Sequence, residues 1–194
     1  MAQVFQESTQ PIERFSLPES PSNLQSAPVI IRTALQEATT ALNTAGVENA
    51  AANAEWLMAE VLGCPRPELP LHWSETLEVT QIQRWQSLVD GRVDRIPLQH
   101  LLGTAEFCGL AFEINSSVLV PRPETELLAE AAWAVAAIKE ESVVLDIGTG
   151  SGCLAVSVAV HAEETTIHAL DISTAAINVA RANAERHGVA ERII

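Results

Sequence analysis

The run Val143-Val144-Leu145-Asp146-Ile147-Gly148-Thr149-Gly150-Ser151-Gly152 constrains the fold more than any other part of the chain. Ser142 to Ile147 is short, rich in β-branched residues and almost continuously apolar, which is how a parallel strand covered on both faces reads. Gly148, Gly150 and Gly152 follow at alternate positions, so the loop can take positive φ and bring its backbone close to a ligand. Cys153 to Val160 is small and apolar throughout and predicts a helix packed on a sheet. Its N-terminus faces the loop with unpaired N–H groups and the positive end of the helix dipole. Thr166 to Leu170 predicts a second strand, ending in Asp171, so strand, loop, helix and strand form one βαβ unit with a carboxylate placed for a ribose diol.

The glycine spacing separates two cofactor classes. A dinucleotide loop reads G-x-G-x-x-G. Here the spacing is G-x-G-x-G with Asp146 two residues ahead, a form similar to the S-adenosylmethionine loop of Rossmann-like methyltransferases. A nicotinamide-dependent oxidoreductase is the reading this spacing disfavours.

Charge narrows the partners. The 194 residues carry a formal charge of −14, whereas a phosphate-backbone binder needs a basic face to release counterions. A protein or small-molecule partner is expected, with no direct nucleic acid. Cys64, Cys108 and Cys153 are odd in number and form no C-x-x-C, so they read as reduced, mostly buried thiols of a cytoplasmic protein. His72, His100, His161, His168 and His187 show no metal-ligand spacing, and no metal is expected. No segment has the roughly 18 to 20 apolar residues that span a bilayer, so no membrane role is expected.

Four regions follow along the chain. Residues 1–28 carry Pro11, Pro18, Pro21 and Pro28 among Ser, Gln and Glu and are expected to be a flexible extension. Residues 29–96 are expected to form a helical domain. Its first helix starts near Ser26 and Pro28 and stops at Gly46; its second runs from Asn49 to Leu62; a broken turn follows at Pro65, Pro67 and Pro70; and its last helix runs from Thr80 to Val93. Trp56, Trp73 and Trp85 read as core or inter-helix anchors. Residues 97–117 are expected to form a β-hairpin linker, with strands around Gly103 at Leu98–Leu102 and Glu106–Ile114. Residues 118–194 then hold the βαβ unit, preceded by a helix from Pro123 to about Lys139 that covers the sheet.

Several runs together resemble the HemK/PrmC family, the peptide chain release factor N(5)-glutamine methyltransferases. They are Leu98-Gln99-His100-Leu101-Leu102-Gly103, Glu106-Phe107 with Gly109-Leu110, Val120-Pro121-Arg122-Pro123-Glu124-Thr125-Glu126, and Leu145 to Cys153. Ala169-Leu170-Asp171-Ile172-Ser173, Ala180-Arg181-Ala182-Asn183-Ala184 and Gly188 fit the family's second motif. The resemblance covers about residues 30–194 and is most specific at the Pro-Arg-Pro-Glu-Thr-Glu run. It implies an α/β chain: an N-terminal helical domain, a hairpin linker and the first part of a Rossmann-like methyltransferase domain with an incomplete sheet.

The resemblance also implies S-adenosylmethionine as cofactor. The methyl acceptor would be the glutamine amide nitrogen in a release factor's Gly-Gly-Gln loop. Gly148, Thr149, Gly150, Ser151 and Gly152 would line the cofactor, Asp171 would accept from its ribose, and Asp146 would orient the loop or the cofactor amine. Pro121, Arg122, Pro123, Glu124 and Thr125 would lie on the substrate side, and the helical domain and hairpin would recognise the release factor.

One departure is large. The family holds the target amide with an Asn-Pro-Pro-Tyr motif; here no proline lies beyond Pro123 and the chain has no tyrosine, so no catalytic residue is assigned. The chain stops at Ile193-Ile194, where a third strand is expected to begin. The expectation is therefore a fragment or shortened reading frame, or a sheet completed by another chain. Residues 140–194 alone would be only marginally folded, and the polypeptide as it stands would bind the cofactor poorly and catalyse nothing. A ribosomal-protein glutamine methyltransferase and a non-catalytic release-factor-binding module stand as the alternatives.

Overall fold

The computed structural model describes residues 28–139 and 141–194. The flexible extension and the helix start at Ser26 concern residues outside those described, Pro28 excepted. The chain divides into two compact units between Leu98 and Gln99.

The first unit is helical. α1 (Ile31–Thr44) starts later than its start signals imply, after an extended Ile30, and buries Ile31, Ala34, Ala38 and Leu42 on one face. α2 (Ala50–Leu62) runs between Asn49 and Gly63, both left-handed, as a helix bounded by an Asn and a C-terminal Gly can. A 3-10 turn at Arg66–Glu68 and the single-turn α3 (Leu69–His72) occupy the proline-rich stretch. α4 (Val79–Val93) begins with Glu78 N–H donating to the Gln81 side chain at 2.9 Å, so one otherwise unpaired donor is satisfied.

Trp85 is fully buried and anchors this core, while Trp56 and Trp73 are 44% and 40% exposed. Those two are not core anchors. Each lies under a guanidinium, Arg66 over Trp56 and Arg32 over Trp73 at 5.5 and 5.6 Å, an arrangement in which an indole keeps one face to solvent.

The chain enters the second unit through a helix where a strand was expected. Leu98–Leu102 is a short helix, α5, and the hairpin lies further on, β1 (Thr104–Phe107) against β2 (Leu110–Glu113). Cys108 and Gly109 form the turn, with φ of 50° and 71°. Two consecutive positive-φ residues match the twist of a two-residue hairpin, which places the turn here and not at Gly103. The strands alternate as a half-buried pair should, Ala105, Phe107 and Phe112 inward, with Phe107 edge-on to Phe112.

α6 (Pro123–Ala136) has proline at its first turn with Glu124 and Glu126, as the helix dipole favours. It packs against α7 (Cys153–His161) instead of covering the sheet. β3 (Val143–Ile147) and β4 (Thr166–Leu170) pair in parallel, Val143 opposite Thr166 through Ile147 opposite Leu170. α8 (Thr174–Arg186) follows, its Ser173 cap accepting from Ala176 N–H. Ile193 then bridges Ile167 in parallel, and Ile194 exchanges hydrogen bonds with Ile167 and Ala169, so a third strand begins on the outer edge of β4.

The expectation of a strand covered on both faces holds for one face only. Ile167 is buried with Val156 and Val158 of α7, but Val143, Leu145 and Ile147 are 67, 58 and 77% exposed and Leu170 stands beside them. Parallel sheets bury both faces because their apolar residues point both ways. This face is an open apolar patch of the kind that marks an interaction surface or an aggregation hazard. The chain should therefore enhance the fluorescence of an apolar dye such as ANS. Replacing Leu145 and Ile147 by lysine should lower that signal while changing unfolding free energy by no more than about 0.5 kcal/mol per site. A large stability loss on urea denaturation would show that the face is covered.

Candidate functional site

The site grows from the C-terminal ends of β3 and β4. Parallel pairing sets Ile147 beside Leu170, so the loop leaving β3 starts next to the end of β4. The Leu170 carbonyl accepts both Gly148 N–H (2.7 Å) and Thr149 N–H (2.9 Å). One step on, Asp171 Oδ2 accepts Gly150 N–H at 2.9 Å and Oδ1 accepts Ser173 N–H at 2.9 Å. The Thr149 hydroxyl donates to Asp146 Oδ2 at 2.7 Å. Four of the residues named from the sequence, Asp146, Thr149, Gly150 and Asp171, thus belong to one network.

Gly152 closes the loop and caps α7. A Cβ there would stand 3.0 Å from Ala180 Cβ and 3.1 Å from Ala180 Cα, and its φ is 76°. Both the close approach of α8 and the left-handed backbone demand glycine. Ser151 is buried, and its carbonyl accepts from Asn183 Nδ2 at 2.9 Å.

A cavity of about 390 Å³ opens over the loop. Its wall includes Asp146, Gly148 to Ser151 and Asp171, and facing them Val120, Pro121, Arg122 and Thr125. The Pro-Arg-Pro run and the glycine loop therefore share one cavity, although Pro123, Glu124 and Gly152 do not line it. Glu126, from the same run, turns elsewhere and accepts Cys108 N–H at 2.8 Å, tying α6 to the hairpin turn. Cys153 and Ser173, named above only as parts of motifs, also line the cavity, as do Leu119 and Ala176, which the sequence did not mark as site residues. For Leu119 and Ala176 only closeness to the recognisable motifs could have done so.

The electrostatics of the loop centre on Asp171. Hydrogen bonds from Ser173 N–H and Gly150 N–H hold the Asp171 carboxyl below the usual carboxylate range. A carboxylate has about four acceptor positions, so after those two bonds Asp171 retains capacity for a vicinal diol. Burial pushes the Cys153 thiol up, so it stays protonated and is no nucleophile at neutral pH. All three cysteines are free and half-buried, less enclosed than expected. Among the described residues no helix is long and apolar enough to cross a membrane.

Comparison with known proteins adds independent findings. Residues 33–103 match the family model of the PrmC N-terminal domain, and residues 125–194 match that of ribosomal protein L11 methyltransferase (PrmA). A release factor glutamine methyltransferase of Geobacter sulfurreducens is 43% identical over 143 residues, 74% of this chain and 50% of that protein. One of Mycolicibacterium smegmatis is 41% identical over 79% of this chain and 54% of its own, and one of Moorella thermoacetica 37% identical over 84% and 58%. The chain spans about half the length of the curated relatives it matches.

Two measurements test the geometry. Gly152→Ala should cost roughly 2 kcal/mol or more in urea denaturation, from crowding plus positive φ. Gly148→Ala, where a Cβ meets nothing within 4 Å, should cost only about 1 kcal/mol. For Asp171 the folded pKa lies below the unfolded one, so its stabilisation is present above the ordinary value of about 3.9 and is lost as pH falls through the lowered one. The Gly150 and Ser173 amide resonances should therefore titrate together below pH of about 3.9, and not in Asp171→Asn. A transition at or above that pH would contradict the network.

Proposed function

We propose, since the chain belongs to the HemK/PrmC family, that its glycine loop holds S-adenosylmethionine and that the enzyme it belongs to methylates the glutamine side-chain amide of a peptide chain release factor. The observation that carries this reading is the shared cavity: the loop, Asp171 and the Pro121-Arg122 and Thr125 wall surround one space. The names of the relatives supply the substrate class, and the cytoplasm is then its place of action.

Bound there, S-adenosylmethionine would supply a methyl group on a sulfonium, an electrophile that needs no metal or redox partner. Asp171 would accept from the ribose hydroxyls while still holding Gly150 and Ser173. The first-turn N–H groups of α7 would face the methionine carboxylate. Asp146 accepts from the Thr149 hydroxyl and so holds the loop, and its carboxylate would offer the cofactor's amine an acceptor. Arg122 and Thr125 would border the path of the incoming glutamine.

The residues here orient one reactant but not the other. An amide nitrogen is a weak nucleophile because its lone pair is delocalised, so transfer depends on holding it in line with the methyl group. The Asn-Pro-Pro-Tyr segment that does this in the family is not among these 194 residues, which include no tyrosine. The chain alone therefore binds the cofactor weakly and transfers no methyl group.

A second reading, with a ribosomal protein as methyl acceptor, draws on the match of residues 125–194 to the ribosomal protein L11 methyltransferase model. The match of residues 33–103 and the relatives favour the release factor. The test is transfer of labelled methyl groups to a release factor and to ribosomal proteins, by the chain alone and by the chain extended with the second half of the Geobacter relative. Labelling of the Gly-Gly-Gln glutamine by the extended protein only is the expected result. Labelling by the chain alone would overturn the division of labour, and labelling of a ribosomal protein instead would favour the second reading.

A further inference from the structure

We infer that Asn183 is a positioning residue that ties the order of the glycine loop to the docking of the hairpin. Its link to function rests on the reading that this loop holds the cofactor.

Asn183 lies on α8 and is fully buried, with every hydrogen-bonding atom used. Its Oδ1 accepts Glu113 N–H at 2.7 Å, and its Nδ2 donates to the Glu113 carbonyl at 2.8 Å and to the Ser151 carbonyl at 2.9 Å. Bonding both backbone groups of one residue is what a neighbouring antiparallel strand does to an edge. The side-chain amide thus stands in for a strand along the outer edge of β2, and its remaining N–H reaches the glycine loop.

The neighbours on α8 reinforce this geometry. Ala180, one turn earlier on the same face, packs on Gly152. His187, one turn later, meets the Ala111 carbonyl through Nε2 at 2.9 Å, and its ring lies 5.2 Å from that of Phe112. Hairpin and loop are far apart in sequence, and the Asn183 side chain bonds the backbone of both. Removing its amide leaves the buried Ser151 carbonyl and the part-buried Glu113 N–H and carbonyl without this partner at the same time, and that shared loss couples them.

Hydrogen exchange on the whole 194-residue chain tests the assignment. Asn183→Ala should speed exchange by about tenfold or more at Gly148 to Cys153 and at Leu110 to Glu113 together, leaving other segments near wild type. Val179→Ala, which loses packing on the same helix but keeps the three hydrogen bonds, should not produce this paired pattern. Should Asn183→Ala fail to fold, Asn183→Asp carries the test. It keeps an acceptor for Glu113 N–H but loses both donors, so the hairpin edge keeps one of its two bonds and the Ser151 carbonyl keeps none, and the loop should loosen more than the hairpin.

Titration with S-adenosylmethionine adds a second readout. Asn183→Asp should bind about tenfold more weakly, while Val179→Ala binds as wild type does below its melting point. No binding to the wild-type chain would sink the cofactor reading and leave the exchange pattern to decide on Asn183. Exchange that rises in only one segment, or that matches Val179→Ala, would overturn the assignment.

Discussion

The end of β4 is the point on which the candidate site depends. Its last carbonyl, Leu170, accepts two loop N–H groups, and the next side chain, Asp171, accepts a third and also fixes the start of α8. A glycine loop without such anchors would sample many conformations, since glycine loses the most freedom on ordering. Here three successive amides are bonded before any ligand arrives. The parallel register of β3 and β4 makes this possible by bringing a loop and an acid from separate segments side by side.

From that point the restraints spread outward. α8 runs from the Asp171 corner back past Gly152 and Ser151 to the edge of the hairpin, while Glu126 on α6 holds the hairpin turn. One layer of α7, α8 and the hairpin therefore supports the cavity from beneath. Among the described residues the opposite face of the sheet has no such support, and apolar residues are exposed there on strands of a kind usually covered on both faces. The candidate cavity lies on the supported side.

Much of this was legible in the residues because the relevant signals are local. The Gly148-Gly150-Gly152 spacing, the apolar β-branched run before it and the acid after Leu170 each act within a few positions. α2, α4, β4 and α7 lie close to where periodicity and breakers put them. The hairpin was misplaced because Leu98 to Leu102 carries the apolar content of a strand, while the turn is determined by positive φ at Cys108, a residue with no turn preference of its own. Trp56 and Trp73 looked like core by type, yet they stack beneath arginines that only the fold brings near. Asn183 was visible only as part of a motif. Its single hint was a polar residue on the Ala176, Val179, Ala180 and Ala184 face of α8, and its partners at Glu113 and Ser151 are too distant in sequence to infer.

The central claim is that the loop between β3 and α7, anchored by Asp171, is a site for S-adenosylmethionine. The most direct measurement is a two-dimensional amide NMR titration of the isotopically labelled chain with S-adenosylmethionine and, separately, with NAD, which detects weak binding and locates it. The account predicts concentration-dependent shifts centred on Gly148, Thr149, Gly150, Asp171 and Ser173 with S-adenosylmethionine and none there with NAD. Shifts at these amides with NAD alone, or an unmoved loop at millimolar S-adenosylmethionine, would contradict it.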